Sequence, residues 1–236
     1  MENVLYETLR PDQFSKRLSE HPVGYLPLGT LEWHGKQNVL GSDALQANGL
    51  FTRCAKRYGG IVFPPLWVGP DRIERTSDGA LLIGMDSSEY TKPKQQLIGS
   101  CYWVSKGLFL QLLESIVSQA KRAGFACLIA DGHGPSRKAW AEMAPTWEKQ
   151  YDIILLSSLI DFNESNYLTQ RDHAGKNETS AMMALHPELV DLSLLDSPFP
   201  LGVHGEDPRL SSSVYGEMLL ETTVLSIGEK LEELGL

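Results

Sequence analysis

The sequence predicts a single α/β domain, a three-layer sandwich with a mostly parallel central sheet, spanning residues 1–236. Three observations carry this. Short apolar, β-branched runs alternate with longer amphipathic ones. The short runs lack polar alternation, as strands covered on both faces do. No repeat, low-complexity tract or linker-like stretch divides the chain, which is long enough for one large core.

The elements follow in order. Val23-Gly24-Tyr25-Leu26-Pro27-Leu28-Gly29 reads as a buried strand ending in a glycine turn. Ser42 is placed to cap a helix running through Ala44, Leu45, Ala47, Leu50 and Ala55, with Tyr58-Gly59-Gly60 as its stop. Ile61-Val62-Phe63 is a second strand, closed by Pro64-Pro65. From Lys106 to Ala123 the residues Phe109, Leu112, Leu113, Ile116 and Ala120 keep helical spacing, and Gly124 ends that helix. Phe125 to Ala130 is a third strand, Arg137 to Lys149 a helix, and Ile153 to Leu159 a fourth strand. Glu178 to Leu185 and Ser213 to Leu231 complete the set as helices. One segment breaks the rhythm: the text between Gly69 and Gly99 is polar and turn-rich, with Asp71, Arg72, Glu74, Arg75, Ser77, Asp78 and Gly79. A connection of that length suits either a functional loop or an exposed hairpin.

Charge and composition narrow the function classes. The formal net charge of −9 argues against a nucleic-acid partner, which needs a basic surface to displace phosphate counterions. No stretch approaches the roughly 20 apolar residues of a membrane span. Met1-Glu2-Asn3-Val4 lacks the basic and apolar regions of a signal peptide. Cys54, Cys101 and Cys127 are odd in number and far apart, which reads as reduced thiols in a cytoplasmic protein.

Three segments carry metal-competent side chains. In Gly29-Thr30-Leu31-Glu32-Trp33-His34-Gly35, Glu32 and His34 are two residues apart, so extended backbone directs both to one side. Asp43 then opens the next helix, placed to bridge two metals. Mixed imidazole and carboxylate donors suit zinc, manganese or iron. The second segment, Asp131-Gly132-His133-Gly134-Pro135-Ser136, turns sharply between a strand and a helix and should leave His133 exposed at the sheet edge. The third is Asp172-His173-Ala174-Gly175-Lys176-Asn177-Glu178, where His173 and Glu178 flank a glycine turn. Each segment also has a plain structural reading, as a surface acid, a packed histidine or a helix cap in which Asn177 and Glu178 serve the helix start. All three follow strands, where open α/β sheets place their sites.

Taken together, these segments resemble the creatininase (creatinine amidohydrolase) family nearly end to end. Pro27 to Gly35 resembles the family's P-x-G-S/T-x-E-x-H-G, Phe63-Pro64-Pro65-Leu66 its second-strand ending, and Gly132-His133-Gly134 its G-H-G turn. His173-Ala174-Gly175 with Glu178-Thr179-Ser180 is similar to H-A-G-x-x-E-T-S, and Gly202-Val203-His204-Gly205 with Asp207-Pro208 to G-V-x-G-D-P. The resemblance implies two divalent ions per chain (Zn, Mn or Fe). Glu32 and His133 would hold one, His34 the other, with Asp43 bridging. Some family members supply the remaining ligand just after the G-H-G histidine, where this chain has Gly134-Pro135-Ser136, so Glu178 becomes the candidate. The catalytic candidates are His173, as acid, base or substrate holder, and Glu178. The resemblance further implies a small-molecule substrate and a homo-oligomer, the hexamer being usual for the family.

The chain departs from the family at several places. Gly35-Lys36-Gln37-Asn38-Val39-Leu40 replaces H-G-P-H-L-P-type text after the first histidine, Asp131 replaces an asparagine, and the segment from Asp71 to Ile98 replaces a short loop. The expected activity is therefore metal-dependent hydrolysis of a non-peptide C–N bond in a cyclic amide, cyclic amidine or formamide, with creatinine itself disfavoured. The alternatives are a non-catalytic relative keeping part of the metal site, and a nucleotide binder. The latter lacks both G-x-G-x-x-G and G-x-x-x-x-G-K-[ST].

Overall fold

The computed structural model describes residues 3–236; Met1 and Glu2, part of the N-terminal run considered above, lie outside the described residues. In chain order the main elements are α1 (Pro11–Glu20), β1 (Val23–Leu28), α2 (Ser42–Tyr58), β2 (Ile61–Val62), β3 (Ile73–Arg75), β4 (Leu81–Ile83), α3 (Lys106–Ala123), β5 (Cys127–Gly132), α4 (Gly134–Tyr151), β6 (Ile154–Ser157), α5 (Lys176–Leu185) and α6 (Ser213–Glu233). The central sheet has the order β2-β1-β5-β6 and every pairing in it is parallel. The only antiparallel ladder among the named strands is the separate hairpin β3-β4, which lies inside the polar segment.

Two cores sandwich the sheet. On one face Tyr25, Cys127 and Ile129 pack with Leu50, Phe51 and Cys54 of α2 and Leu220, Val224 and Ile227 of α6. On the other, Leu26, Leu28, Leu128 and Ala130 pack with Phe109, Leu113 and Val117 of α3 and Ala139, Trp140 and Ala144 of α4. Burial on both faces is why these strands read as unbroken apolar runs. Gly124, in the left-handed region at φ 109°, closes α3 by donating to the Ala120 and Lys121 carbonyls.

Several expectations need correcting. Gly41, not Ser42, caps α2; Ser42 instead donates its hydroxyl to the Val39 carbonyl at 2.7 Å. Helix α1 was not expected from the sequence; Phe14 and Leu18 pack it on the core, and Arg17 is buried with its guanidinium on the carbonyls of Ala55 and Gly60. His133 is 2% exposed rather than open at a sheet edge, because β5 lies between β1 and β6. Among the described residues no helix is long and apolar enough to cross a membrane.

The sheet order decides where a site can form. The chain passes from β1 to β2 on one side, then crosses to β5 on the other side of β1. The connections leaving the carboxyl ends of β1 and β5 therefore diverge and open a crevice at that switch point. Glu32 and His34 follow β1, and His133 follows β5.

Candidate metal centre

Glu32, His34, Asp43, His133 and Glu178 converge at that crevice, each 3% exposed or less. Gly132 makes the approach possible. It sits at φ 136°, and a Cβ there would lie 1.8 Å from the Leu28 carbonyl oxygen. With that space clear, the His133 amide donates to the same carbonyl at 2.6 Å, and the turn lies flat against β1.

Asp43, in the first turn of α2, divides its carboxylate between two histidines. Its Oδ1 is 3.3 Å from His34 Nε2, and its Oδ2 is 3.2 Å from His133 Nδ1. Glu32 Oε1 is 3.0 Å from the same His133 Nδ1, and Glu178 Oε2 is 3.7 Å from His34 Nε2. Two groups result, Glu32–Asp43–His133 and His34–Asp43–Glu178, each with ligand atoms within 4.8 Å of one another. A third group of the same compactness, Glu32–His34–His173, brings in the remaining histidine.

The far side of each imidazole is held by a carbonyl, which fixes which nitrogen faces the cluster. His34 Nδ1 donates to the Glu32 carbonyl at 3.1 Å, so Nε2 faces Asp43 and Glu178. His133 Nε2 lies 3.3 Å from the Pro70 carbonyl and 3.7 Å from Asp71 Oδ2, so Nδ1 faces Glu32 and Asp43. Partners of this kind orient metal-binding histidines and raise their basicity. Asp71 stands in the polar segment but nothing in its local sequence marks it as a neighbour of His133. Trp103, just beyond the far end of that segment, places its ring centroid 5.8 Å from that of His133.

The third loop is built around Asp172, whose carboxylate accepts from the amides of Asn177 at 2.8 Å and Glu178 at 3.0 Å. Asp172 thus satisfies the start of α5 from outside the helix, and neither Asn177 nor Glu178 is needed as its cap. Glu178 turns inward, where Oε2 also accepts from the Ala174 amide at 2.8 Å. The first loop is tied to this one by Gln37, which donates to the Ala174 carbonyl at 2.7 Å, and by Asn38, which donates to Thr179 at 2.9 Å. The departure at Gly35 to Leu40 thus serves as a strut between loops. Lys36 points outward to Asp196.

A family model described as Creatininase: Creatinine amidohydrolase matches residues 7–231. This chain belongs to the creatininase family. It is 25% identical to the creatinine amidohydrolase of Pseudomonas putida over 245 residues, 88% of either chain. Among solved structures it is similar to creatinine amidohydrolase (TM-score 0.76, 21% identity, 99% of this chain and 98% of that one). It is also similar to a mutant creatininase of Zn–Zn type (TM-score 0.75, 22% identity, 99% and 98%). A third likeness is to a manganese creatininase (TM-score 0.74, 22% identity, 98% and 98%). At these identities the structural likeness establishes the creatininase fold.

The electrostatics of this creatininase-fold centre test whether cations suit it. Burial pushes the pKa of Glu32 up and that of Glu178 well up. Burial opposes the Asp43 charge too, but His34 and His133 outweigh it and hold Asp43 well below the carboxylate range. Burial likewise works against charge on the imidazoles, yet Asp43, Glu178 and Glu32 raise His34 to about 10, and Glu32 with Asp43 raises His133 well above its usual range. Three buried carboxylates thus draw in positive charge, and Glu32 Oε2 is buried without a hydrogen-bond partner. Divalent cations answer both demands, so the residues fit the metals. His173 behaves differently. Burial and the neighbouring His34 lower it to about 3, so it is neutral.

The clefts around the chain differ in their relation to this centre. One of about 620 Å³ is lined by Leu82, Asp86, Ser100 and Trp103. Trp103 abuts His133, and Ser100 Oγ accepts from the Trp33 amide at 2.8 Å. Another, of about 610 Å³, lies at the opposite end of the sheet beside His21 and Tyr58 and includes none of the clustered residues.

Proposed function

We propose that this protein is a metal-dependent amidohydrolase that cuts a non-peptide C–N bond of a small molecule, a cyclic amide, cyclic amidine or formamide. The observation that carries the reading is the division of one buried carboxylate, Asp43, between two ligand groups. Creatininase relatives include Zn–Zn and Mn forms, and one is complexed with creatine. The donor set here suits the same ions, or iron. Two divalent cations, one with Glu32, Asp43 and His133 and one with His34, Asp43 and Glu178, would supply Lewis acidity and an acidified water at neutral pH. Asp43 would lower the repulsion between two such cations by setting its negative charge between them. His173 keeps its Nε2 hydrogen on the Trp33 carbonyl and accepts or returns a proton at Nδ1, next to Glu32. The near-complete burial of the five ligands excludes bulk water and strengthens each of these interactions. We read the cleft beside Trp103 and Ser100 as the approach for substrate, and the assembly as a homo-oligomer.

The test is elemental analysis of protein purified without chelators or a metal-affinity tag, joined to turnover of a panel of small amides, amidines and formamides. About two transition-metal ions per chain with turnover of at least one compound supports the reading. Metal with no turnover across the panel favours a binding protein that keeps the fold.

A further inference from the structure

One guanidinium joins two of the loops that build the centre. Arg137 lies in the first turn of α4, with Nη1 3.5 Å from Asp131 Oδ1. Its Nη2 donates to the Gln170 carbonyl at 3.1 Å. Asp131 is completely buried near the end of β5, so the pair brackets the turn that carries His133. Gln170 belongs to the other loop, three residues before His173. It is held at φ 59°, where non-glycine residues stand only when their surroundings impose it. Between β6 and α5 the described residues form no helix or strand, so the path of this loop depends on such tethers.

We propose that Arg137 is a positioning residue. Drawn toward the His133 turn by its ion pair with Asp131, it holds the Gln170 carbonyl by a hydrogen bond and so sets where His173 stands against the cluster. Its guanidinium is directed away from the ligand atoms, its amide donates to the His133 carbonyl at 2.9 Å as part of the helix, and it does not line the approach cleft. The role needs a planar fork that reaches two acceptors at once, which a lysine ammonium on the same stem does not reproduce. The proposal rests on the amidohydrolase reading for its kinetic consequence alone.

The experiment compares the metal-loaded parent with Arg137→Lys, Arg137→Met and the double variant Asp131→Asn/Arg137→Met. Arg137→Met leaves a buried carboxylate uncompensated and should lower Tm by roughly 10 °C. The double variant removes that charge and should recover most of the Tm. A purely structural pair would then recover function as well. We expect otherwise: in both the lysine and the double variant kcat falls roughly 10–100-fold with KM and metal content kept, because His173 is misplaced. Amide hydrogen exchange over residues 169–174 should rise about tenfold in the same variants. Parental kcat, or parental exchange in that loop, overturns the proposal. If the parent turns over no amide, the amidohydrolase reading falls separately, and the exchange measurement alone decides the tether.

Discussion

His173 donates its Nε2 hydrogen to the Trp33 carbonyl at 2.7 Å, and its Nδ1 stands 3.9 Å from Glu32 Oε1. A carbonyl only accepts, so the lone pair of the neutral ring is on Nδ1, the atom that faces the cluster. The ring lies against that of His34, with centroids 4.5 Å apart. Backbone pairing with His204, at 3.0 and 2.9 Å, holds the strand of chain behind it.

This arrangement separates His173 from Glu178. His173→Ala should keep both metals and lose about 10²–10⁴ in rate, the worth of a positioned proton-transfer group. Glu178→Gln should lower occupancy of the ion beside His34, since a neutral amide is a poor ligand for such a cation. Metal analysis and steady-state kinetics on the two variants check this. The reverse pattern, with a metal shed by His173→Ala alone, would assign the roles the other way.

Asp43 is the single carboxylate common to the groups Glu32–Asp43–His133 and His34–Asp43–Glu178, the two that the proposed reading assigns to cations. Asp43→Ala should therefore remove both ions, whereas Glu32→Gln should weaken only the one beside His133. Undiminished metal in purified Asp43→Ala protein would disprove the bridge.

The polar segment meets the centre at its start and just beyond its end, and one residue within it meets the stretch that pairs with His173. Asp71 and Trp103 face His133, and Ser100 accepts from the Trp33 amide. Tyr90 places its ring 4.5 Å from that of His204 and accepts from the Gly202 amide. Tyr90→Ala and Ser100→Ala should shift KM and the ranking of substrates while metal content holds. Ser100→Ala also leaves the Trp33 amide without its acceptor, at a cost of about 1–3 kcal/mol in stability. Unchanged kinetics with every accepted compound would make the cover irrelevant to substrate.

The imidazoles make a prediction for metal-stripped protein. His34 binds its proton more tightly folded, at about 10, than at the ordinary 6.5. Its contribution to stability is thus complete below about 6.5 and is lost as pH climbs through about 10. His133 shifts in the same direction. Tm of chelator-treated protein should fall across that window. The loaded protein should change less, because metal replaces the protons and expels them on binding. Thermal melts of both forms in a pH series test this, and a flat profile for the stripped protein would contradict it.

Much of this molecule is legible one segment at a time. The apolar runs at Val23–Leu28 and Cys127–Ala130 announce covered strands, and Gly124 announces the end of α3 by supplying a left-handed residue. Glu32, His34 and His133 stand out because loops after β1 and β5 carry them, Asp43 and Glu178 because they open helices, and the donor types of all five suit a metal. Helix α1 was not, because only Phe14 and Leu18 of its apolar side meet the core and its buried residue is an arginine. The hairpin β3-β4 is one of two readings of the polar segment, and its strands cannot be placed by pattern because the outward residues Ile73 and Leu81 give no two-fold alternation.

By itself, the sequence determined the strand-and-helix alternation, the parallel sheet and the donor set, since each depends on the periodicity or chemistry of neighbouring residues. The tertiary structure alone decided the rest. It brought Asp43 between His34 and His133, put Asp71 behind His133 and Asp172 under α5, and joined Asp131, Arg137 and Gln170. It also buried His133, which a glycine-flanked turn would lead one to place in solvent. The physical reason is shared. The longer of these relationships link residues 33 to 90 positions apart, and the others set how a turn or a helix start lies against its neighbours. Strand order and packing fix them, and no local spacing encodes either.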